Sequence, residues 1–244
     1  MWKRISAGMF DGILLGVVAV LCAWLLSMAL GFDGHYNELE QAYARAGEQY
    51  GVNLNMSLEE YESMTAEELA RAEEAYASLS QDEKAVYAYN MVIQLTLLIA
   101  SFGILLAYMI LEFTVPMVLG NGQTLGKKMF GLGVMSGEGV RIGGVHLFIR
   151  TVLGKYAVET MVPVLVVMMI YFGMVGLAGT MVLGGLLLAE LIALAVTYTN
   201  SALHDLLAGT VCVNVGTQMI FDSREEMLEF KKKEHAERAA RQSY

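Results

Sequence analysis

The chain groups its apolar residues into long runs separated by charged segments, and does not scatter them at the spacing of a soluble core. The first run extends from Met9 to Phe32 and is broken only by Asp11. The second extends from about Tyr89 to Leu119 with Glu112 as its one charge, and the third from Ala157 to Tyr198 with Glu159 and Glu190. About 20 apolar residues at ~1.5 Å each span a hydrocarbon core. The first two runs therefore predict one crossing each. The third is too long for one, and the glycines of its Tyr171–Thr180 stretch supply a turn, so it predicts a pair of helices.

The resulting fold class is an all-α membrane protein of four transmembrane helices, with a helical extracytoplasmic insertion and a small cytoplasmic β element. The chain divides into a first transmembrane helix (1–32), an acidic insertion (33–88), a second transmembrane helix (89–119) and a connection with a hairpin and an interfacial helix (120–156). A transmembrane helical hairpin (157–199), a His-Asp segment with a short strand (200–221) and a charged tail (222–244) follow. Lys3 and Arg4 precede the first run as they would in a secretory signal, but its apolar core is longer than a signal's and carries Asp11 and Trp24. A retained anchor is expected.

Charge sets the expected orientation. The insertion holds many carboxylates against Arg45, Arg71 and Lys84, whereas Lys127, Lys128, Arg141, Arg150 and Lys155 follow the second helix. Basic residues collect on the cytoplasmic side. Both termini and the 121–156 connection are then cytoplasmic, in a multi-pass protein of a bacterial inner membrane, and the formal net charge of -9 belongs mostly to the outer insertion.

Helix-start signals recur in the insertion at Ser57-x-x-Glu60, Thr65-x-x-Glu68 and Ser80-x-x-Glu83, so two or three short helices are predicted there. Its tyrosines offer amphipathic packing surface. On the other side, Ser136-Gly-Glu-Gly139 separates two short β-prone pieces and predicts a hairpin. His146–Tyr156 reads as an interfacial helix, with Lys127, Lys128, Arg150 and Lys155 as candidate contacts to lipid headgroups. The tail reads as a charged cytoplasmic helix.

Chemistry-bearing motifs are few. Cys22 and Cys212 suggest no disulfide framework, and His35, His146, His204 and His235 lack metal-site spacing, so no metal or cofactor is expected. The Ser201–Asp205 stretch lacks a nucleophile turn, and the glycines of 120–133 match no phosphate-binding pattern. Neither an enzyme nor a nucleic-acid partner is expected. Arg4, Ala7 and Asp11 fall on one stripe of the first helix, with a small residue between two charges, and Arg4 or Lys3 is the expected partner of Asp11.

The stripe Arg4-x-x-Ala7-x-x-x-Asp11, the block Gly122–Val134 with Lys127 and Lys128, the later Arg150, and Leu203-His-Asp-Leu-Leu-Ala-Gly-Thr-Val211 occur in that order. Together they resemble the RDD family of membrane proteins, named for one arginine and two aspartates that Arg4, Asp11 and Asp205 match. The resemblance implies a transport-related role, some members being associated with exchange of sodium or other monovalent cations for protons. The long acidic insertion and the split last region depart from a minimal member.

Glu190 falls about midway along the predicted fourth crossing, where a carboxylate costs a few kcal/mol. Asp11, Glu112, Glu190 and Asp205 are candidates to line a polar pocket for cations or protons, with Arg4 as charge partner. The alternative is a structural ion-pair cluster of Arg4, Asp11 and Asp205 clamping helix ends, with Glu112 and Glu159 reaching the interface. At the level of the whole protein, a cation and proton carrier stands against a non-transporting scaffold that binds a membrane protein partner through its insertion. Small-residue stretches such as Gly173–Gly185 offer a homo-oligomer contact.

Overall fold

The computed structural model describes residues 2–242; residue 1 and the last two positions of the tail lie outside the described residues. Among the described residues, four helices are long and apolar enough to cross a membrane: α1 (Trp2–Leu30), α5 (Glu83–Leu119), α7 (Gly144–Tyr171) and α8 (Gly176–Val196). Their large side chains, among them Ile13, Val17, Val20, Leu165 and Leu187, are exposed in the protein alone, as expected of surfaces that lipid covers. The expected turn in the third run falls between Tyr171 and Gly176.

Residues Leu21–Gly103 form one compact unit. Within it α2 (Phe32–Tyr50) follows α1 after a left-handed turn at Gly31 and packs against α4 (Ala66–Gln81). Ala46, Leu54, Ala72 and Ala75 form the core between them, closed by Tyr43, Tyr50 and Met64. The capping boxes at Ser57 and Thr65 form as the sequence predicts, opening α3 (Leu58–Glu62) and α4. The third does not. Ser80 lies inside α4 and donates to the Ala77 carbonyl, while Asp82 caps α5 by accepting from the N–H groups of Lys84 and Ala85.

The other unit comprises Met1–Val20 and Ile104–Tyr244. Here the predicted hairpin forms in a short version, with the Gly139 N–H closing the turn on the Ser136 carbonyl and the Ser136 N–H bonded to the Val140 carbonyl, and a longer-range pairing is added to it. β1 (Leu132–Ser136) runs antiparallel to β2 (Thr210–Asn214), with Val134 opposite Cys212. The local hairpin also carries an antiparallel bridge between Met135 and Arg141. Leu132, Ala7 and Cys212 pack together, so the sheet takes its apolar partner from α1. The short helices α6 (Leu125–Met129) and α9 (Leu203–Ala208) flank the sheet in sequence, and α10 (Arg224–Gln242) carries the tail. The predicted interfacial helix is also corrected. Residues 146–156 belong to the first part of continuous α7, because their apolar positions carry straight on into the third apolar run.

Two helices change pitch where they meet. α5 is π-helical over Met109–Thr114 and α7 over Ile149–Met161. The wider turn appears in side-chain bonds five residues apart, Thr114 Oγ1 to the Met109 carbonyl and Thr160 Oγ1 to the Lys155 carbonyl. Pro116 and Pro163 follow the two stretches and lack the N–H that would bond the carbonyl four residues earlier, that of Glu112 and of Glu159. Thr151 on α7 donates to the Glu112 carbonyl instead, at 2.9 Å. π turns gather at functional sites, and these two place charged side chains face to face.

Candidate functional site

Three cationic side chains converge on Glu112. Lys155 Nζ lies 2.5 Å from Oε1, while Arg150 Nη1 and Lys127 Nζ stand 3.7 and 3.9 Å from Oε2. Glu112 is 5% exposed and Arg150 1%. Lys127, Arg150 and Lys155 therefore do not reach lipid headgroups, as the sequence suggested. A buried carboxylate is tolerable only with such partners, and the partners only with it. Lys128 keeps its exposed position.

Arg150 is committed in two further directions. Nε donates to Asp205 Oδ1 at 2.8 Å and Nη2 to His204 Nε2 at 3.0 Å. Asp205 also accepts from the Thr210 hydroxyl at 3.0 Å, tying α9 to β2. Burial alone would raise the Asp205 carboxyl, but the Arg150 guanidinium holds it well below the usual carboxylate range. Burial and then the Arg150 charge push the His204 imidazole below its ordinary value, against its bond to Glu159. That bond joins His204 Nδ1 to Glu159 at 2.9 Å.

Asp11 is held by the opening of α6. Thr124 donates its hydroxyl to Oδ2 at 2.5 Å and Gly126 its N–H to Oδ1 at 2.7 Å. The approach needs glycine: a Cβ on Gly126 would stand 2.5 Å from the Ala7 carbonyl oxygen and 2.9 Å from the Asp11 carboxylate. Ala7 is thus the small residue the stripe required. Lys127 Nζ completes the group, 4.0 Å from Asp11 Oδ2 and 3.3 Å from Thr124 Oγ1. Burial, with Lys155 and Arg150 adding to it against Glu112 and Asp11, lowers the Lys127 ammonium to about 8.

Arg4 does not pair with Asp11. Its guanidinium donates to the carbonyls of Thr199 at 2.7 Å, Asn200 at 3.0 Å and Cys212. Seven residues along a helix are about 10 Å, too far for a contact, and carbonyls left free past the end of α8 lie nearer. Arg4 is a clamp on the segment that leads to α9.

A cavity of about 330 Å³ opens between these groups, lined by Arg4, Asp11, Glu112, Lys127, Arg150 and Asp205 among others. Glu190 lies outside it. It lies six residues before the end of α8, not at its middle, and lines a separate, mostly apolar cavity with Pro163 and Leu186. Its Oε2 accepts the N–H of Leu203 at 3.1 Å, and Glu159 Oε1 accepts that of His204 at 2.8 Å. Ala202, at the cap position of α9, has no side chain for this duty. The two glutamates supply the cap from neighbouring helices.

The sequence model of the RDD family matches residues 1–209, most of the chain and all four membrane helices. The chain belongs to the RDD family. No curated protein and no solved structure matches it. In this RDD protein the name-giving residues do not form one triad: Asp205 pairs with Arg150, Asp11 with Thr124 and Gly126, and Arg4 with backbone carbonyls. Sequence reasoning left Glu159, His204 and Thr124 outside the site. The repeated Glu-x-x-x-Pro spacing, at Glu112 and Pro116 and again at Glu159 and Pro163, was a signal able to find the first of these.

Proposed function

We propose that this RDD protein is a proton-linked carrier of monovalent cations, with exchange centred on Lys127. The observation that carries the reading is geometric. The Lys127 ammonium is suspended between two buried carboxylates, 4.0 Å from Asp11 and 3.9 Å from Glu112, beyond hydrogen-bond distance of both. A monovalent cation entering beside Asp11, Glu112 and Thr124 finds hard oxygen donors. Lys127 then releases one proton as one cation binds, and the charge of the site is unchanged. The lowered Lys127 ammonium supports this, since the proton leaves near neutral pH. The family resemblance points the same way. In the orientation this reading adopts, the termini and the cavity face the cytoplasm of a bacterial inner membrane and the insertion faces outward.

Purified protein in liposomes carrying a pH dye tests it. A pulse of sodium, lithium or potassium chloride should move protons in the wild type, and Lys127→Gln should lose that movement. Full flux in Lys127→Gln, or no flux from any of these salts in the wild type, overturns it.

A second reading rests on the insertion, whose folded helices form a compact unit with residues 21–103. As a scaffold, the protein would bind a partner there. Deleting 33–84 would then lose partner capture while leaving flux intact.

A further inference from the structure

Glu112 Oε2 and Arg150 Nη1 are both buried, and neither atom has a hydrogen-bond partner among the described residues. They lie 3.7 Å apart, and a small rotation of the guanidinium would join them. What prevents this is the commitment of the other two nitrogens, Nε to Asp205 and Nη2 to His204 Nε2. A guanidinium only donates. His204 Nε2 must therefore present its lone pair, and Nδ1 must carry the proton, which it donates to Glu159 at 2.9 Å.

We propose that His204, locked by Glu159 as the neutral Nδ1–H tautomer, is a positioning residue that holds Arg150 away from Glu112 and keeps Oε2 open to the exchanging cation. The effect on exchange rests on the carrier reading; the tether itself does not. When His204 takes a second proton, Nε2–H faces the guanidinium and that bond is lost. Arg150 then turns about its bond to Asp205 and closes on Glu112, putting a fixed positive charge where the cation would bind.

The charged groups around His204 are Glu159, Arg150 and Lys155 of α7 and Asp205 on its own helix. Glu190 of α8 reaches the same turn through the Leu203 N–H. The seat is tight as well, because a Cβ on Gly154 would stand 2.5 Å from the His204 Cβ. Burial and Arg150 keep the imidazole below its usual range, so closure belongs to acid conditions.

Nitrogen-15 NMR of histidine-labelled protein in lipid nanodiscs at pH 7.5, assigned with His204→Gln, should give the Nδ1–H tautomer for His204. An Nε2–H tautomer or an imidazolium at that pH overturns the proposal. In a lipidic-phase crystal structure of His204→Ala, Arg150 Nη1 should move from 3.7 Å to about 2.9 Å from Glu112 Oε2. A guanidinium that stays in place overturns it. Should that variant not fold, the wild type at an acid pH where the nitrogen-15 signal shows a His204 imidazolium should show the same closure; a guanidinium still 3.7 Å from Glu112 Oε2 there overturns the proposal. Exchange in liposomes should be lost in His204→Ala. If the wild type shows no exchange, the carrier reading alone falls, and the tautomer and the Arg150 movement still decide this one.

Discussion

Arg150 and Asp205 are joined across 2.8 Å between α7 and α9, with both side chains almost wholly buried. The same guanidinium faces Glu112 of α5 at 3.7 Å, so one residue of the third crossing meets the carboxylates of two other elements. Arg150 is the hub of the site, and Arg4 serves at its edge.

Removing the central anion should therefore be costly. Glu112→Gln leaves Lys155, Lys127 and Arg150 without the charge they surround, and breaking one partner of a buried pair costs about 3–5 kcal/mol. Denaturation in micelles should show a loss of that order, partly restored by Lys155→Met in the same chain. A stability like the wild type's would mean that water already reaches the cluster.

Arg4 and Asp11 should behave as independent residues. In a double-mutant cycle of Arg4→Ala and Asp11→Asn, the stability losses should add to within about 0.5 kcal/mol, as they do for groups that share no partner. A larger coupling would restore the direct pair that the stripe on α1 suggested. Arg4→Lys should also fall short of the wild type, because one ammonium cannot reproduce a fork that spans three carbonyls.

Glu190 should tolerate the loss of its charge but not of its oxygen. Glu190→Gln keeps an acceptor for Leu203, so stability and flux should stay near wild type. Glu190→Leu should lose about 1 kcal/mol, the usual worth of a helix cap. Abolished flux in Glu190→Gln would instead put this carboxylate in the transport path.

The pH dependence has two parts. Lys127 is lowered to about 8 when folded, so exchange should rise as pH passes through that value. Its folded form binds fewer protons than the unfolded chain between about 8 and 10.4, and stability should rise with pH across that interval. His204 is also lowered, and the unfolded chain binds more protons just below about 6.5; stability should therefore fall as pH drops there. Thermal unfolding of the wild type against Lys127→Gln and His204→Gln separates the two.

The crossings and the family were legible in the sequence because lipid imposes long apolar runs, and because the signature blocks around Arg4, Gly126 and Asp205 stand in order. The pairing within the site was not. Lys127, Arg150 and Lys155 look alike in sequence whether they meet phosphate or Glu112, and the difference lies in two π stretches that turn α5 and α7 toward each other. The partner of Asp11 was missed for a similar reason. The Gly126 N–H is a backbone donor without a sequence signature of its own. Glu190 was placed too deep because α8 ends six residues beyond it.

The antiparallel pairing of residues 132–136 with 210–214 sets an order of assembly. Glu112 and Arg150 are synthesised well before Asp205 and β2, so the nascent protein must insert α5 and α7 while part of their charge lacks its final partner. Lys155 is the early companion of Glu112, but Arg150 waits for the last signature block. A ribosome stalled before residue 205 would hold a chain in which Arg150 lacks its Asp205 carboxylate and residues 132–136 lack their strand partner.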